Sequence, residues 1–252
     1  MGILAFLYGI LTYGLGVAAL LYFILFVGNL WVPKVIDSPA AGSPLQAVLV
    51  DLALVALFGL QHSVMARPSF KDWWTRWVPK AVERSTYMFA TALVLGLLYW
   101  LWQPIAGSVW TVNVPAIRVL LLGLFWSGWV VLFLSTFMIN HFDLFGLRQV
   151  YLLLKDQPYV PVPFVQMAFY RVIRHPIMLG LLLGVWSTPD MSYGHLLFAA
   201  ACTGYIFVGI WLEERNTRDA LGAAYERYHR ETPMLLPLPK RRTTQVVVDS
   251  GR

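Results

Sequence analysis

Charged residues are scarce in this chain. Only 13% of its 252 residues are Asp, Glu, Lys or Arg, about half of the roughly 25% that an average soluble domain carries. So few charges cannot cover a water-exposed surface of ordinary composition. The scarcity argues against a soluble domain, and the lack of polar, charged tracts argues against a disordered chain.

Cysteine is almost missing as well. Cys202 is the single cysteine, which excludes a disulfide scaffold. There is no Cys–His cluster with the spacing of a zinc site, so no metal is expected. Cys202 lies among alanines, Thr203 and Gly204, and we expect it to pack at a helix contact.

Long apolar runs take the place of the missing charge. Hydrophobic residues make up 58% of the chain and the mean hydropathy is +0.63. Runs near the roughly 20 residues that cross a bilayer lie at about 3–30, 45–66, 86–102, 116–139, 170–186 and 194–212. We predict an all-α, polytopic membrane helix bundle, one domain over 1–239, with about six spans. Five spans are possible, because the fifth run reaches this length only if 170–176 forms its first turns.

The basic residues sort to one side of the predicted spans. Of the 19 lysines and arginines, 17 fall in alternate loops and the C-terminal tail, leaving Lys34 and Arg118 on the other side. The positive-inside rule then predicts both termini in the cytoplasm, as in a bacterial inner-membrane protein. This placement explains the net charge of +6 as a topology signal that favours anionic lipid headgroups, and nucleic acid is not an expected partner.

Two cytoplasmic segments are expected beside the bundle. The segment 144–169 is too polar and proline-rich to span, and it is predicted to be a loop that could cover a site. A tail helix is predicted at about 216–230, lying against the bundle and stopped by Pro233. The basic residues 240–252 are expected to be flexible.

Ionisable residues gather where four predicted spans meet the cytoplasmic face. They are His62, then His141 with Asp143, then Arg174 with His175, and finally Glu213 and Glu214. Such residues are costly in a membrane and mark functional sites more often than anchors. Interface anchoring explains arginine and lysine well but explains paired glutamates and repeated histidines poorly. By contrast Asn29, Asp51 and His195 fall toward the other face, and we expect them to pack or form hydrogen bonds.

Two strings at these positions form a recognisable pair. The string RHPIMLG at 174–180 resembles the R-H-P-x-Y-x-G signature of the isoprenylcysteine carboxyl methyltransferase and phospholipid methyltransferase superfamily. The string EER at 213–215, followed by Leu221, Gly222, Tyr225, Tyr228 and Pro233, resembles its C-terminal pattern. Met178, Leu221 and Thr232 stand where that pattern has tyrosine, phenylalanine and valine.

Four further strings extend the resemblance along nearly the whole chain. They are FVGNL–VPK within 26–34, FGLQHSVMARP at 58–68, ERSTY at 83–87 and HFDLFGLRQ at 141–149. These are similar to strings of the bacterial methanethiol S-methyltransferases. The resemblance implies transfer of a methyl group from S-adenosyl-L-methionine to methanethiol, giving dimethyl sulfide.

That reaction needs a thiolate, because the thiol is a poor nucleophile. We expect His141 to be the general base, with Asp143 orienting or charging it, and His62 is the second choice. Alternatively, Arg148 and its neighbours could lower the pKa of the thiol without any base. The sequence does not separate these mechanisms.

The superfamily resemblance also implies a cofactor pocket between the last two spans and the tail helix. The helix start at Pro176 and the side chain of Arg174 suit the carboxylate of S-adenosylmethionine, and Gly180 permits close approach of a neighbour or the ligand. The full predicted cofactor set is Arg174, His175, Pro176, Leu179, Gly180, Glu213, Glu214, Arg215, Tyr225, Tyr228 and His229.

Two other functions remain open at this point. One is methylation of another thiol or of an isoprenylcysteine-type carboxylate. The other is a non-enzymatic, denitrification-associated membrane factor or a transporter, although the chain has no internal repeat of the kind that transporters show. The oligomeric state is not predicted.

Overall fold

The computed structural model describes residues 2–164 and 166–238. The predicted basic segment 240–252 lies outside the described residues. In chain order the elements are α1 (Gly2–Val27), α2 (Pro44–Met65), α3 (Pro68–Trp74), α4 (Lys80–Leu101), β1 (Ser108–Thr111), α5 (Pro115–Ile139), α6 (His141–Leu144), α7 (Leu147–Leu154), α8 (Phe169–Val172), α9 (Pro176–Trp186), β2 (Asp190–Ser192), α10 (Tyr193–Leu221) and α11 (Ala223–Glu231).

Five of the helices within the described ranges are long and apolar enough to cross a membrane. They are α1, α2, α4, α5 and α10, with 22 to 29 residues each, and a rise of about 1.5 Å per residue makes each at least as long as the hydrocarbon core is thick. Their outward faces remain apolar, as the exposure of Leu4, Leu60 and Val119 shows. The all-α membrane bundle is confirmed, and the protein is an integral membrane protein.

The predicted span at 170–186 is wrong as one continuous helix. The chain turns briefly as α8, becomes extended at Ile173 with φ −141° and ψ 151°, and starts α9 only at Pro176. A proline disfavours helical backbone in the residue before it, and His175 accordingly has φ −124° and ψ 63°. The resulting helix of 11 residues is too short to span alone, and its start stays inside the bundle.

The predicted boundary between the last span and the tail helix is also wrong. Helix α10 continues through the expected end at 212 as far as Leu221. It stops at Gly222, whose φ of +53° lies in the left-handed region that glycine adopts without a steric penalty. The separate tail helix α11 is therefore shorter than predicted.

The segment predicted as a loop at 144–169 contains a helix of eight residues, α7. It packs along the start of α1, where Gly9 faces Val150. Val150 is fully buried, so this short helix has one apolar face against the bundle. The rest of the segment, up to α8, has no long helix among its described residues.

The core lies where α1, α4, α5 and α10 converge, away from α6 and α11. Phe26, Trp102 and Phe198 pack edge to face there, with ring centroids 5.5 to 6.3 Å apart. At the same end, Asp51 accepts a hydrogen bond from the Gln103 backbone, Asn29 donates to Asp37, and His195 contacts the Val185 carbonyl. The prediction that these three are packing or hydrogen-bonding residues is confirmed.

Candidate active site

Glu214 is the centre of a buried ionic network formed by α9, α10 and α11. Its Oε1 accepts from Arg174 Nε at 2.7 Å and lies 2.9 Å from His175 Nε2. Its Oε2 lies 3.2 Å from His229 Nε2. The side chains of Arg174 and Glu214 are 4% and 11% exposed, so removal of either partner would leave a buried charge without a counterion. The structure thus brings together four residues of the predicted cofactor set.

Arg174 ties the C-terminal segment to this network. Its Nη1 donates to the carbonyls of His229 and Thr232, and its Nη2 reaches Glu214. The backbone N–H groups of Arg174 and His175 donate to the carbonyls of Pro233 and Met234. Four of the five N–H groups of the guanidinium thus have protein partners, and the main work of Arg174 is to hold the network together.

Glu213 differs from its neighbour. Its side chain is 59% exposed, and its Oε2 is 4.0 Å from His175 Nδ1. It therefore lies beside the network with oxygens open to a ligand. Arg215, which follows Glu214 on α10, is exposed, and no contact found within residues 2–164 and 166–238 joins it to the Glu214 network.

Two tyrosines of α11 cover the network from one side. Tyr225 and Tyr228 are buried, with ring centroids 5.9 Å apart. The Tyr228 hydroxyl donates to the Tyr170 carbonyl at 2.7 Å. Burial raises the pKa of Tyr225 to about 12, helped by the nearby Glu214 carboxylate, so both rings stay neutral at physiological pH.

Two residues of the predicted cofactor set face other helices. Gly180 lies against the backbone of α5, where an added Cβ would meet Leu132 N at 2.8 Å. Leu179 packs against a small cluster of Ile206, Ile210 and Leu235. The sequence left two roles open for Gly180, close approach of a neighbour or of the ligand, and in the structure the neighbouring helix α5 is what lies close to it. Pro176 is buried at the first position of α9.

His141 lies in a second site, at the end of α5. It is 4% exposed, its Nδ1 is 2.8 Å from Thr136 Oγ1 and its Nε2 is 2.9 Å from the Tyr13 hydroxyl. Phe137 stacks on the imidazole at 4.2 Å with an interplanar angle of 3°. Burial lowers the pKa of His141, so the imidazole is neutral near pH 7.

Asp143 has partners other than His141. Asn140 caps α6 by accepting from the Asp143 backbone N–H, and this turn directs the carboxylate toward Arg148, whose Nη1 is 2.8 Å from Oδ1. The Tyr159 hydroxyl donates to Oδ2 at 3.3 Å. The groups that hold the ring of His141 are therefore Thr136 and Tyr13.

The residues 155–164, which we name the strap, connect the two sites. Arg148 donates to the Val160 carbonyl at 3.0 Å and lies over the Tyr159 ring at 5.3 Å. At the other end of the strap, Phe164 packs against Tyr225 and Tyr228 with centroids 6.2 and 5.4 Å apart. The strap thus runs from the His141 side to the tyrosines that cover the Glu214 network.

We predict that Arg148→Gln loosens the strap. The change removes an ion pair, a carbonyl contact and a cation–π contact, and the partly exposed ion pair is expected to contribute about 1 kcal/mol. Hydrogen exchange followed by mass spectrometry should show faster exchange in the strap and unchanged exchange in α5. Arg118→Gln, which breaks the ion pair with Asp190 at 2.7 Å, is the matched control and should leave strap exchange unchanged. Equal strap exchange in Arg148→Gln and the parent chain would contradict the assignment.

A second connection, made by hydrogen bonds from side chains to backbone carbonyls, joins the two sites. The Tyr170 hydroxyl donates to the Ser135 carbonyl at 3.5 Å, one residue before Thr136, while the Tyr170 carbonyl accepts from Tyr228. Sequence reasoning missed Tyr13, Thr136, Tyr159, Phe164 and Tyr170. Tyr13 has no local signal, since it is 128 residues from His141, whereas Thr136 is only five residues away.

His62, the second choice for a base, lies in another interface. The Tyr87 hydroxyl is within 2.9 Å of both ring nitrogens, and Phe58 stacks on the ring at 5.2 Å. These partners come from α2 and α4. No hydrogen bond found among residues 2–164 and 166–238 joins His62 to His141 or to Glu214.

A bundle of apolar spanning helices that holds a buried ionic network and a shielded histidine defines a polytopic membrane protein with a candidate active site. Comparison with known proteins gives the family. Methanethiol S-methyltransferase of Mycobacterium tuberculosis is 50% identical over 240 residues, covering 95% of this chain and 98% of the relative. The protein of the same name from Crocosphaera subtropica is 46% identical and covers 92% and 91%. The chain belongs to the methanethiol S-methyltransferase family.

A more distant relative places this family in a wider group. Nurim of Bos taurus is 30% identical over 199 residues, covering 73% of this chain and 74% of the relative. No family model matches the chain, and no solved structure matches it significantly. The resemblance found from the sequence strings is confirmed, and the chain is a thiol S-methyltransferase by descent.

Proposed function

We propose that this protein methylates methanethiol to dimethyl sulfide, with S-adenosylmethionine as the methyl donor, at the cytoplasmic side of a bacterial inner membrane. The observation that carries the proposal is the 50% identity with a methanethiol S-methyltransferase along 95% of the chain. We infer that both termini lie in the cytoplasm. The segment through α9 brings the chain back to β2, which pairs with β1, so the chain crosses the bundle an even number of times, and Arg84, Arg148 and Arg171 belong to its basic side.

The residues around Glu214 suit S-adenosylmethionine by their chemistry. Glu213 offers carboxylate oxygens to ribose hydroxyls or to the amino group, and the start of α9 offers N–H groups that precede the first helical bond, from Leu179 to His175. Such N–H groups favour an anion like the methionine carboxylate. When bound, the donor supplies an electrophilic methyl group.

Other residues of the predicted set support this pocket indirectly. Arg174 and His175 keep Glu214 ionised and hold the turn before Pro176, which sets the direction of α9. Tyr225 and Tyr228 exclude water from one side, and His229 anchors α11 to Glu214. Exclusion of water favours transfer to a thiol over side reactions.

His141 is our choice for the base that generates the thiolate. It is neutral near pH 7 because burial lowers its pKa, and its ring is fixed by partners from α1 and α5. Arg148 is less suited to lower the pKa of a thiol, because its charge is already paired with Asp143 at 2.8 Å. We assign Arg148 and Asp143 to holding the strap.

The proposed function predicts that purified protein in detergent forms dimethyl sulfide from methanethiol and S-adenosylmethionine. Headspace gas chromatography, with a deuterated methyl group in the donor, measures both the product and the origin of the methyl group. His141→Gln is expected to lower turnover about 100-fold while donor affinity, measured by calorimetry, stays unchanged.

His62→Gln is the comparison variant, since it alters a buried histidine of the other helix pair. If turnover fell in His62→Gln and stayed near normal in His141→Gln, the base would be His62. If the parent protein formed no dimethyl sulfide but methylated a different thiol or a prenylcysteine carboxylate, methanethiol would not be the substrate.

A further inference from the structure

The hydrogen bonds around His141 determine its tautomer. The Thr136 hydroxyl donates its one hydrogen to the Phe133 carbonyl at 2.7 Å, so toward His141 it acts as an acceptor. The 2.8 Å contact with Nδ1 then places the imidazole proton on Nδ1. The basic lone pair is on Nε2, where the Tyr13 hydroxyl donates to it at 2.9 Å.

His141 is closed to direct contact with a substrate. The residue is 4% exposed, Phe137 covers one face at 4.2 Å, and Phe145 lies 4.6 Å away on a tilted plane. Tyr13 occupies Nε2, and its own ring is only half-buried. A proton can therefore reach the base through the Tyr13 hydroxyl more readily than by contact with the imidazole.

We propose that Tyr13 is a catalytic proton relay between the substrate thiol and His141. The inference rests on the proposed function. In this step the S–H bond breaks and its proton bonds to the Tyr13 oxygen, while the tyrosine's own proton moves to Nε2 of His141. The products are a thiolate, a neutral Tyr13 and an imidazolium, so charge and protons balance without an added reactant.

Few charged groups face this dyad from the surrounding helices. Arg84 of α4 donates to the Leu144 carbonyl at 3.1 Å, and Asp143 and Arg148 neutralise each other in a pair at 2.8 Å. The titratable group of α1 that contacts His141 is Tyr13 itself, and Thr136 of α5 does not titrate. The dyad therefore has no adjacent unpaired carboxylate among the described residues to serve as a competing base.

The test is the pH dependence of turnover in Tyr13→Phe. A relay matters only while the thiol is protonated; a cysteine thiol ionises near about pH 8.5, and a simple alkanethiol ionises higher. We expect Tyr13→Phe to lose about 100-fold in kcat for methanethiol at pH 7, and the ratio to the parent enzyme to shrink toward unity as the pH approaches the ionisation range of the free thiol. The KM for the methyl donor should not change.

Tyr8→Phe is the matched control. It lies on the same helix and loses a tyrosine hydrogen bond, to Thr86 at 3.2 Å, without touching His141. It should keep parental turnover at every pH. Thr136→Val is a second variant that leaves Tyr13 intact but removes the acceptor for Nδ1–H. It is expected to show the same pH-dependent loss as Tyr13→Phe.

Nitrogen NMR of histidine-labelled protein measures the protonation of each ring nitrogen and needs no methyl donor. The chain has five histidines, and the His141→Gln spectrum identifies the signal. In the parent protein the Nε2 signal should be that of an unprotonated nitrogen that accepts a hydrogen bond, and Tyr13→Phe should move it downfield, toward the position of a free nitrogen.

A loss in Tyr13→Phe that is equal at all pH values would make Tyr13 a purely structural residue and overturn the relay. Full activity at pH 7 would overturn it as well, as would a protonated Nε2 in the parent protein. A parent enzyme that methylates no thiol overturns the proposed function together with the relay. A parent enzyme that is active while Tyr13→Phe fails these expectations overturns the relay alone.

Discussion

Glu214→Gln is expected to destabilise the protein by about 3 to 5 kcal/mol, because it leaves the buried Arg174 guanidinium without a counterion. The amide keeps the size of the side chain and one acceptor oxygen, so the loss measures charge and not packing. The side chain of Arg174 is 4% exposed and cannot turn to water. With Glu214 neutral, the contacts from His175 and His229 also weaken. Thermal unfolding in detergent should show a large drop in Tm.

The neighbouring glutamate is the matched control. Glu213→Gln changes the same kind of side chain one position earlier, where it is 59% exposed, and the Tm should change little. Calorimetry should nevertheless show weaker binding of S-adenosylmethionine to Glu213→Gln if this carboxylate contacts the donor. An unchanged Tm for Glu214→Gln would show that the network does not stabilise the fold. Unchanged donor binding for Glu213→Gln would move the pocket elsewhere.

The spanning helices could be predicted from the sequence because hydropathy reflects the solvent directly. Four predicted spans agree with α1, α2, α4 and α5 to within a few residues at most ends. The errors fall where the chain leaves the apolar region. Helix α10 continues to Leu221 through residues that are polar and still helical, and hydropathy carries no information on that. The break before α9 depends on Pro176 and on the pairing of 174 and 175 with Pro233 and Met234.

The residues of the candidate site could be predicted from the sequence, but the contacts between them could be predicted only in part. The sequence singles out His141, Arg174, His175 and Glu214 because ionisable groups at the ends of membrane helices are rare and usually functional. The residues that contact this set are harder to predict. The sequence predicts Asp143 beside His141 because it is two residues away, yet the α6 turn directs its carboxylate to Arg148. One group that holds His141 is Thr136, five residues away at the end of α5, but the other is Tyr13 of α1, 128 residues away, and such long-range packing leaves no local pattern.

A contact between the backbones of two helices gives the second large effect. Gly128 of α5 and Gly180 of α9 lie with their backbones in contact, and a Cβ at Gly128 would stand 2.6 Å from the Gly180 carbonyl oxygen and 2.9 Å from Gly184 N. Backbone atoms cannot move aside as a flexible side chain can. We expect Gly128→Ala or Gly180→Ala to cost about 3 kcal/mol or more and to lower the yield of folded protein.

Gly123→Ala is the control for this prediction, because Gly123 lies on the same helix with nothing within 4 Å of the added Cβ. Alanine there should be neutral or stabilise by up to about 1 kcal/mol through helix propensity. Because α9 starts at the turn that Arg174 and His175 hold, separation of α9 from α5 would displace that turn from Glu214. Gly180→Ala should therefore lose donor binding at temperatures where Gly123→Ala binds normally, as measured by calorimetry. If Gly180→Ala were as stable as Gly123→Ala, the α5–α9 contact would not be what positions the candidate site.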